Sequence, residues 1–149
     1  MSTIRAKDGK LRTSTHIRGR AHPVYGVASD TTVRTFNQQS YVVYPNLTVT
    51  LTIIEPCAFL VWGKVCGSGS AARATCWAMA AYLDGVQVAP LTIQGQPSGS
   101  PWQSSGVMAV TALQSPGTYT IDLRVYVYTA GDTVTMRYSS LAVMAMPVV

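Results

Sequence analysis

Few side chains in this sequence could do covalent or acid–base chemistry, and their spacing forms no catalytic constellation. A hydrolase triad needs a base and an orienting acid beside its nucleophile, but the only histidines, His16 and His22, stand six residues apart in a basic stretch. Catalysis by paired carboxylates would draw on five acids scattered over residues 23–149. Two of them, Asp84 and Asp132, adjoin glycines in turn-like sequences, and a turn role accounts for both. We therefore expect that the protein is not an enzyme.

Metal and cofactor sites are not predicted either. Cys57, Cys66 and Cys76 are widely spaced and include no CxxC pair, whereas zinc sites bring cysteines and histidines together at short spacings. Each cysteine falls in an apolar run typical of a β-strand, so small buried thiols in a reducing cytosol are the favoured interpretation. The glycines between residues 63 and 69 lack the helix-opening pattern of a phosphate-binding loop. We expect no cofactor.

Charge is distributed unevenly along the chain. The net charge of +5 arises in residues 1–22, which hold six cations against Asp8, whereas residues 23–149 hold five cations and five acids. The excess charge therefore belongs to the N-terminal stretch and not to a basic groove on the body. We predict an extended arm over residues 1–35 that orders on a larger acidic or polymeric partner, the alternative being a solvated tail. The arm cations are Arg5, Lys7, Lys10, Arg12, Arg18 and Arg20.

Nucleic acid and membrane are not expected partners. The arm could neutralise phosphates, so a purely electrostatic tail contact stays open, but no aromatic residue precedes Tyr25 to stack on bases, and the body has no basic stripe. The first 30 residues contain no apolar secretory core, and no run of about 18 apolar residues occurs in the sequence. We expect synthesis in a cytosol and no membrane partner.

Alternating hydrophobicity predicts an all-β body over residues 36–149. The clearest signal is the stretch 115–147, which predicts three strands in a row. Asp84-Gly85 has the sequence of a hairpin turn, and Pro90 marks its strand as an edge or bulged strand. Eight to ten short strands without strand–helix alternation predict an antiparallel two-sheet sandwich, although residues 74–83 would also permit a helix. The other predicted strands are 40–44, 47–54, 57–66, 74–83, 86–93 and 107–113.

Several side chains are predicted to make contacts outside the domain. Only 11% of the residues are charged, which is low for a solitary soluble surface, and Leu141–Met146 is apolar on both faces of its strand. One face can meet the core, so the other is expected to meet another copy of the chain. Trp102, in a loop over residues 95–105, is interpreted as either a lid over the core or an external contact. The predicted interface residues are Tyr126, Tyr128, Leu141, Val143 and Met144.

The C-terminal third resembles a known group of viral proteins. PGTYTI at residues 116–121, LRV at 123–125 and SLAVM at 140–144 resemble the closing strands of small jelly-roll heads in tailed-bacteriophage virion proteins. Those heads are similar to the tumour-necrosis-factor-like trimeric jelly roll. The resemblance covers residues 105–147 and implies a jelly-roll sandwich, a homotrimer with the last strands near its axis, and a role in the virion. It does not include the N-terminal arm.

Two functions follow as hypotheses. The first is a capsid decoration protein of the cement or accessory type, a homotrimer on the virion exterior that the six arm cations anchor to the major capsid protein. The alternative is a receptor-binding knob of a tail or head fibre, in which Trp102 and its loop would meet a surface sugar or protein. The absence of a long shaft before the body favours the first. A cytokine-like ligand is disfavoured because no export signal is visible.

Overall fold

The computed structural model describes residues 24–69, 75–88, 92–96 and 102–147, with 92–96 described by their backbone. The predicted strands appear there, and no helix occurs among these residues, so the all-β prediction is confirmed. The ten strands are β1 (Val24–Asp30), β2 (Arg34–Phe36), β3 (Val42–Ile53), β4 (Cys57–Ser68), β5 (Thr75–Leu83), β6 (Val86–Gln87), β7 (Thr92–Gln96), β8 (Gln103–Val110), β9 (Gly117–Val127) and β10 (Val134–Pro147).

The strands form two antiparallel sheets packed face to face. The first sheet has the order β1-β10-β4-β8, with β2 also paired to β10, and the second has the order β3-β9-β5-β6, with β7 also paired to β5. Without the short β2 and β6, eight strands remain, four in each sheet, and the chain crosses repeatedly between the sheets. This is the double Greek-key arrangement of a jelly roll. The predicted jelly-roll sandwich is therefore confirmed.

The long strands β3 and β10 each replace two predicted strands. In β10 the buried residues of the first half are even-numbered, Val134 and Met136, and those of the second half are odd-numbered, from Ser139 onward. A strand alternates its side chains with a period of two, so this change of parity requires an extra residue. The register shifts between Arg137 and Ser140, and Tyr138 has a φ of 52°.

Strand β3 contains a bulge of the same kind. Tyr44 is buried, and the next buried residue is Leu47, so the parity again changes. The register with β9 shifts between Val43 and Thr48, and Asn46, next to Pro45, has a φ of 66°. The predicted strands at 40–44 and 47–54 are thus one bulged strand, because the break in alternation is absorbed by a bulge and not by a turn.

The sandwich begins earlier than predicted. All seven residues of β1 pair with β10, from Val24 opposite Ala145 to Asp30 opposite Ser139. The boundary placed after residue 35 is therefore too late, since β1 and β2 belong to the first sheet. Asp30 closes the turn between them: its Oδ1 accepts a hydrogen bond from the Thr32 amide at 2.9 Å, and its Oδ2 accepts one from Arg34 Nε at 2.9 Å. Residues 1–23, which include every predicted arm cation, lie outside the described residues.

The hairpin predicted at Asp84-Gly85 is present, and residues 75–83 form a strand and not a helix. Asp84 has a φ of 47° and Gly85 a φ of 82°, as the two central residues of a type I′ turn require. The Asp84 side chain accepts a hydrogen bond from the Thr120 amide at 2.8 Å, which ties the turn to β9. The predicted strand 86–93 is replaced by two short strands, β6 and β7, and both pair with β5.

The core lies between the sheets and leaves no room for a side chain at Gly63. The largest fully buried side chains include Trp77, Tyr44 and Phe59. Gly63, on β4, faces the second sheet: a Cβ there would lie 2.8 Å from Leu123 Cδ1 and 2.9 Å from Val107 Cγ1. The close approach of backbone and side chains at this point requires glycine.

We predict that Gly63→Ala lowers the free energy of unfolding by about 1–3 kcal/mol, because Leu123 and Val107 are buried and would have to shift. Urea denaturation followed by tryptophan fluorescence measures this loss. The matched control is Gly106→Ala on the neighbouring strand, where the nearest atom is the Gly63 carbonyl oxygen at 3.6 Å and a change within about 0.5 kcal/mol is expected. Equal losses for the two variants would contradict the packing described.

Candidate interaction surfaces

The outward face of the first sheet carries a two-row apolar surface four strands wide. Hydrogen-bonded register places Tyr25, Met144, Leu60 and Val110 in one row. The adjacent row is Val27, Ala142, Trp62 and Met108. Trp62 is 63% exposed and Met108 is 69% exposed. We call these eight residues the apolar face. Exposed apolar patches of this kind mark interaction sites in soluble proteins.

The apolar face accounts for the doubly apolar end of β10. Leu141 and Val143 point inward and are buried in the domain's own core, whereas Ala142 and Met144 point outward. Of the predicted interface residues on this strand, only Met144 therefore presents a side chain that a second copy could contact. The prediction is corrected for Leu141 and Val143, because their own chain already buries them.

The other end of the same outward face is polar and cationic. The next row is Ser29, Ser140, Lys64 and Gly106, and the row beyond it pairs Arg137 with Cys66 and Ser104. The Arg137 guanidinium carbon lies 4.0 Å from the centroid of the Trp102 ring and 5.0 Å from that of Tyr138. The outward side chains of β1, β10, β4 and β8 include no aspartate or glutamate. The face is thus divided into an apolar half and a cationic, aromatic half.

Trp102 is half-buried in the structure, at the start of β8. Its contact with Arg137 places it on the outward side of the first sheet, and it does not belong to the buried core cluster. This position agrees with the external-contact interpretation better than with a lid. The predicted loop is shorter than expected, because β7 continues to Gln96 and β8 begins at Gln103.

Four tyrosines cluster on the outward face of the second sheet. Tyr41 lies at the centre, with its ring centroid 5.8 Å from that of Tyr82 and 5.3 Å from that of Tyr126, and Tyr126 contacts Tyr128 at 4.7 Å. Arg124 lies over Tyr82, with 4.1 Å from its guanidinium carbon to the ring centroid, and its Nε donates to Asp122 at 2.7 Å. Tyr126 and Tyr128 thus contact other tyrosines of the same chain, on the opposite side of the sandwich from the apolar face.

The burial of the tyrosine cluster shifts the acid–base equilibrium at its centre. Burial raises the pKa of Tyr41 to about 12, and the neighbouring Tyr128, Tyr82 and Tyr126 add to the rise, because their negative phenolates repel a phenolate at Tyr41. The neutral phenol is therefore the form that the folded state favours.

The described residues bring no metal ligands together. No group of three or more His, Cys, Asp and Glu side chains is placed to hold a metal ion in this part of the chain. Cys57 is buried, Cys66 and Cys76 are half-buried, and all three are free thiols. Burial raises the pKa of the Cys57 thiol, as does the nearby Glu55 carboxylate. No helix in the described ranges has the length and hydrophobicity needed to span a bilayer.

Several residues of these surfaces were not singled out from the sequence. Trp62 and Met108 lie in strands whose inward and outward residues are both apolar, and this double apolarity was interpreted only for β10. Strand pairing and the bulge in β10 bring Arg137 and Tyr138 next to Trp102. Neither the pairing nor the bulge can be recognised from the residues of one segment alone. The arm cations lie outside the described residues.

Comparison with models of known protein families and with curated protein sequences finds no match. Among solved structures, the chain is similar to one from a structure of infectious bursal disease virus, Gt strain, with a TM-score of 0.39 and 14% sequence identity. The similarity covers 97% of this chain and 36% of that one. At this level the likeness assigns neither a relative nor a function.

We predict that the stability of the fold decreases as pH rises from about 10 towards 12. Tyr41 loses its proton near pH 10 in the unfolded chain but keeps it until about pH 12 in the folded protein. The stabilisation of the folded state that results is complete below pH 10 and is lost between pH 10 and 12. Urea denaturation at a series of pH values, for the wild type and Tyr41→Phe, measures the difference. The phenylalanine variant should show a shallower decrease, and identical pH profiles would contradict the assignment.

Proposed function

We propose that this chain is a virion structural protein of the capsid decoration type. Its jelly-roll domain forms a homotrimer on the capsid exterior, and its basic N-terminal arm anchors the trimer to the major capsid protein. The observation that carries the proposal is the apolar face, a surface that an isolated domain would leave in water. The jelly-roll strand order supports it by analogy, because jelly rolls are common in viral capsid proteins.

The size of the apolar face supports a stable protein contact. Its six most exposed members, which include Trp62, Met108 and Val110, are 36% to 69% exposed and amount to roughly 600 Å² of surface, the upper end of what monomers leave exposed. A stable interface buries about 800 Å² on each partner. The apolar face therefore supplies most of the area that one side of an interface needs.

A second copy is the occupant that fits this face best. The chain's own arm is polar and basic, and burying it on Trp62 or Met108 would cost desolvation without compensating hydrogen bonds. Copies of the domain offer apolar surfaces of the same chemistry, and three such surfaces can converge around a shared axis. Homo-oligomers are closed and symmetric, and the number three comes from the resemblance to trimeric jelly-roll heads.

The arm supplies the anchor in this proposal. Its six cations stand against a body of zero net charge, so electrostatic attraction to an acidic shell acts through residues 1–22. The described domain starts at Val24, which leaves 23 residues that span up to about 75 Å when extended. Three arms on one trimer act at high effective concentration, so three weak anchors combine into strong attachment.

A receptor-binding knob is the second candidate. The cluster of Arg137, Trp102 and Tyr138 favours it, because a half-buried arginine held between aromatic residues is typical of a ligand contact. The two functions make different use of the chain: decoration needs the arm, whereas a knob needs the cationic half of the outward face.

We predict that the wild-type protein sediments as a trimer at micromolar concentration and that Trp62→Glu converts it into a folded monomer of 15.9 kDa. The new carboxylate would have to be buried in the apolar interface, which costs several kcal/mol. Sedimentation equilibrium measures the mass, and circular dichroism checks the fold. The control is Val86→Glu, since Val86 is 68% exposed but lies on the second sheet. A monomeric wild type, or equal dissociation by both variants, would refute this interface.

We predict that removal of residues 1–22 abolishes binding to shells assembled from the major capsid protein of the same genome, while the trimer persists. Co-sedimentation with undecorated shells measures binding. Replacing the six arm cations by glutamine should weaken binding as strongly as the deletion, and 0.5 M salt should weaken binding of the intact protein because exposed charges are screened. Undiminished binding of the truncated trimer would rule out the anchoring role.

A further inference from the structure

Arg137 is a partly buried arginine without an anionic partner among the described residues. Its Nε is buried and donates to no acceptor there. By contrast, Arg34 pairs with Asp30 at 2.9 Å and Arg124 with Asp122 at 2.7 Å. A buried charged donor without an acceptor costs free energy and needs a physical explanation.

Two aromatic rings hold the Arg137 side chain. Its guanidinium carbon lies 4.0 Å from the Trp102 ring centroid and 5.0 Å from that of Tyr138. Contacts of this type attract the cation to the ring face. With the rings against the guanidinium and the Nε buried, the terminal nitrogens are the donors left to bind a ligand. A guanidinium presents such donors as a planar fork that fits a carboxylate, sulfate or phosphate.

The bulge in β10 positions Tyr138 at this site. Tyr138 has a φ of 52° and is 59% exposed. A left-handed conformation is unfavourable for a non-glycine residue, and bulges commonly re-aim side chains at functional sites. The parity change of β10 requires an extra residue, but it does not require a large aromatic one. Tyr138 therefore supplies an exposed ring beside the unpaired guanidinium.

The electrostatics around Arg137 favour an anion. Lys64 is exposed on the same face of β4, two residues before the Cys66 that pairs with Arg137, a separation of about 7 Å along the strand. No acidic side chain points outward from β1, β10, β4 or β8. Two cations of one face without a neutralising acid create a local positive potential.

We propose that Arg137, Trp102, Tyr138 and Lys64 form a binding site for an acidic saccharide. Arg137 and Lys64 bind the acidic group, and the exposed ring of Tyr138 packs against the C–H face of the sugar. The acidic group can be a carboxylate or a sulfate, since both accept the same hydrogen bonds. The site goes beyond the decoration role and does not depend on it, because it lies on the polar half of the face, which begins at the row of Ser29, Ser140 and Lys64.

Isothermal titration of the full-length protein at low salt tests the site with four probes. These are a hyaluronan tetrasaccharide carrying carboxylates, a carrageenan tetrasaccharide carrying sulfates, neutral cellotetraose, and hexaglutamate. We expect at least one acidic saccharide to bind about tenfold or more tightly than cellotetraose, in line with one charge-assisted hydrogen-bond pair. The better of the two acidic probes identifies the acidic group.

Variants distinguish binding at this site from binding by the basic arm, because every variant in the series retains the arm. Arg137→Gln should weaken acidic saccharide binding about tenfold or more. Tyr138→Asn introduces a residue that tolerates the left-handed φ and removes the ring. It should weaken saccharide binding more than hexaglutamate binding. Arg124→Gln is the matched control, because Arg124 also contacts a tyrosine but already pairs with Asp122, and it should bind like the wild type. Thermal melts check that all variants fold.

Three outcomes would overturn the proposal. Binding that survives Arg137→Gln would belong to the arm and not to this site. If hexaglutamate binds as tightly as the saccharides, and the same variants abolish its binding, the cluster would be an acidic-peptide site instead. No binding of either acidic saccharide at millimolar concentration would show that the cluster is not a saccharide site. None of these results bears on capsid anchoring, which the arm deletion tests separately.

Discussion

The structure depends on strand β10, which is apolar on both faces and lies between β1 and β4 in the first sheet. Its inward residues Leu141, Val143 and Ala145 are buried against the second sheet, and their burial supplies a large share of the core. Its outward residues continue the apolar rows of the neighbouring strands. A domain built around such a strand must either leave apolar surface in water or cover it with another molecule.

The two bulges allow long strands to serve a single core. In both β3 and β10 the buried positions change between even and odd numbers, and a left-handed residue, Asn46 or Tyr138, absorbs the change. Without the extra residue, one half of each strand would turn its apolar side chains away from the core. The two bulged strands also contact one another across the core. The Tyr44 hydroxyl, beside the first bulge, is buried without a hydrogen-bond partner among the described residues, and this burial raises the pKa of Tyr44.

The alternation of apolar residues and the turn-forming residues predicted the strands and turns of this fold. Its surfaces could not be predicted in the same way, because they depend on which strands pair with each other. The alternation in residues 119–127 and the Asp84-Gly85 turn depend on local sterics, and both were confirmed. Residues 24–36 were interpreted as a transition that could include one short strand, because Gly26 interrupts the apolar row of β1. A Cβ at Gly26 would meet Val49 and Leu51 of the second sheet, so the packing there requires glycine. The contacts of Trp102 result from the order of the strands in the sheet. The alternation of apolar and polar residues along one strand does not reveal that order.

The position of the tyrosine cluster constrains how copies can assemble. The apolar face and the cluster around Tyr126 lie on opposite sides of the sandwich. If one met the other in the next copy, the copies would stack in line, and a head-to-tail contact of that kind gives an open filament and not a ring. The trimer proposed above would therefore join the apolar face to a surface at its edge, or to its own equivalent near the axis, and in that arrangement the tyrosines would lie outside the contact. Their ring contacts within the chain, centred on Tyr41, bury much of their apolar surface without a partner.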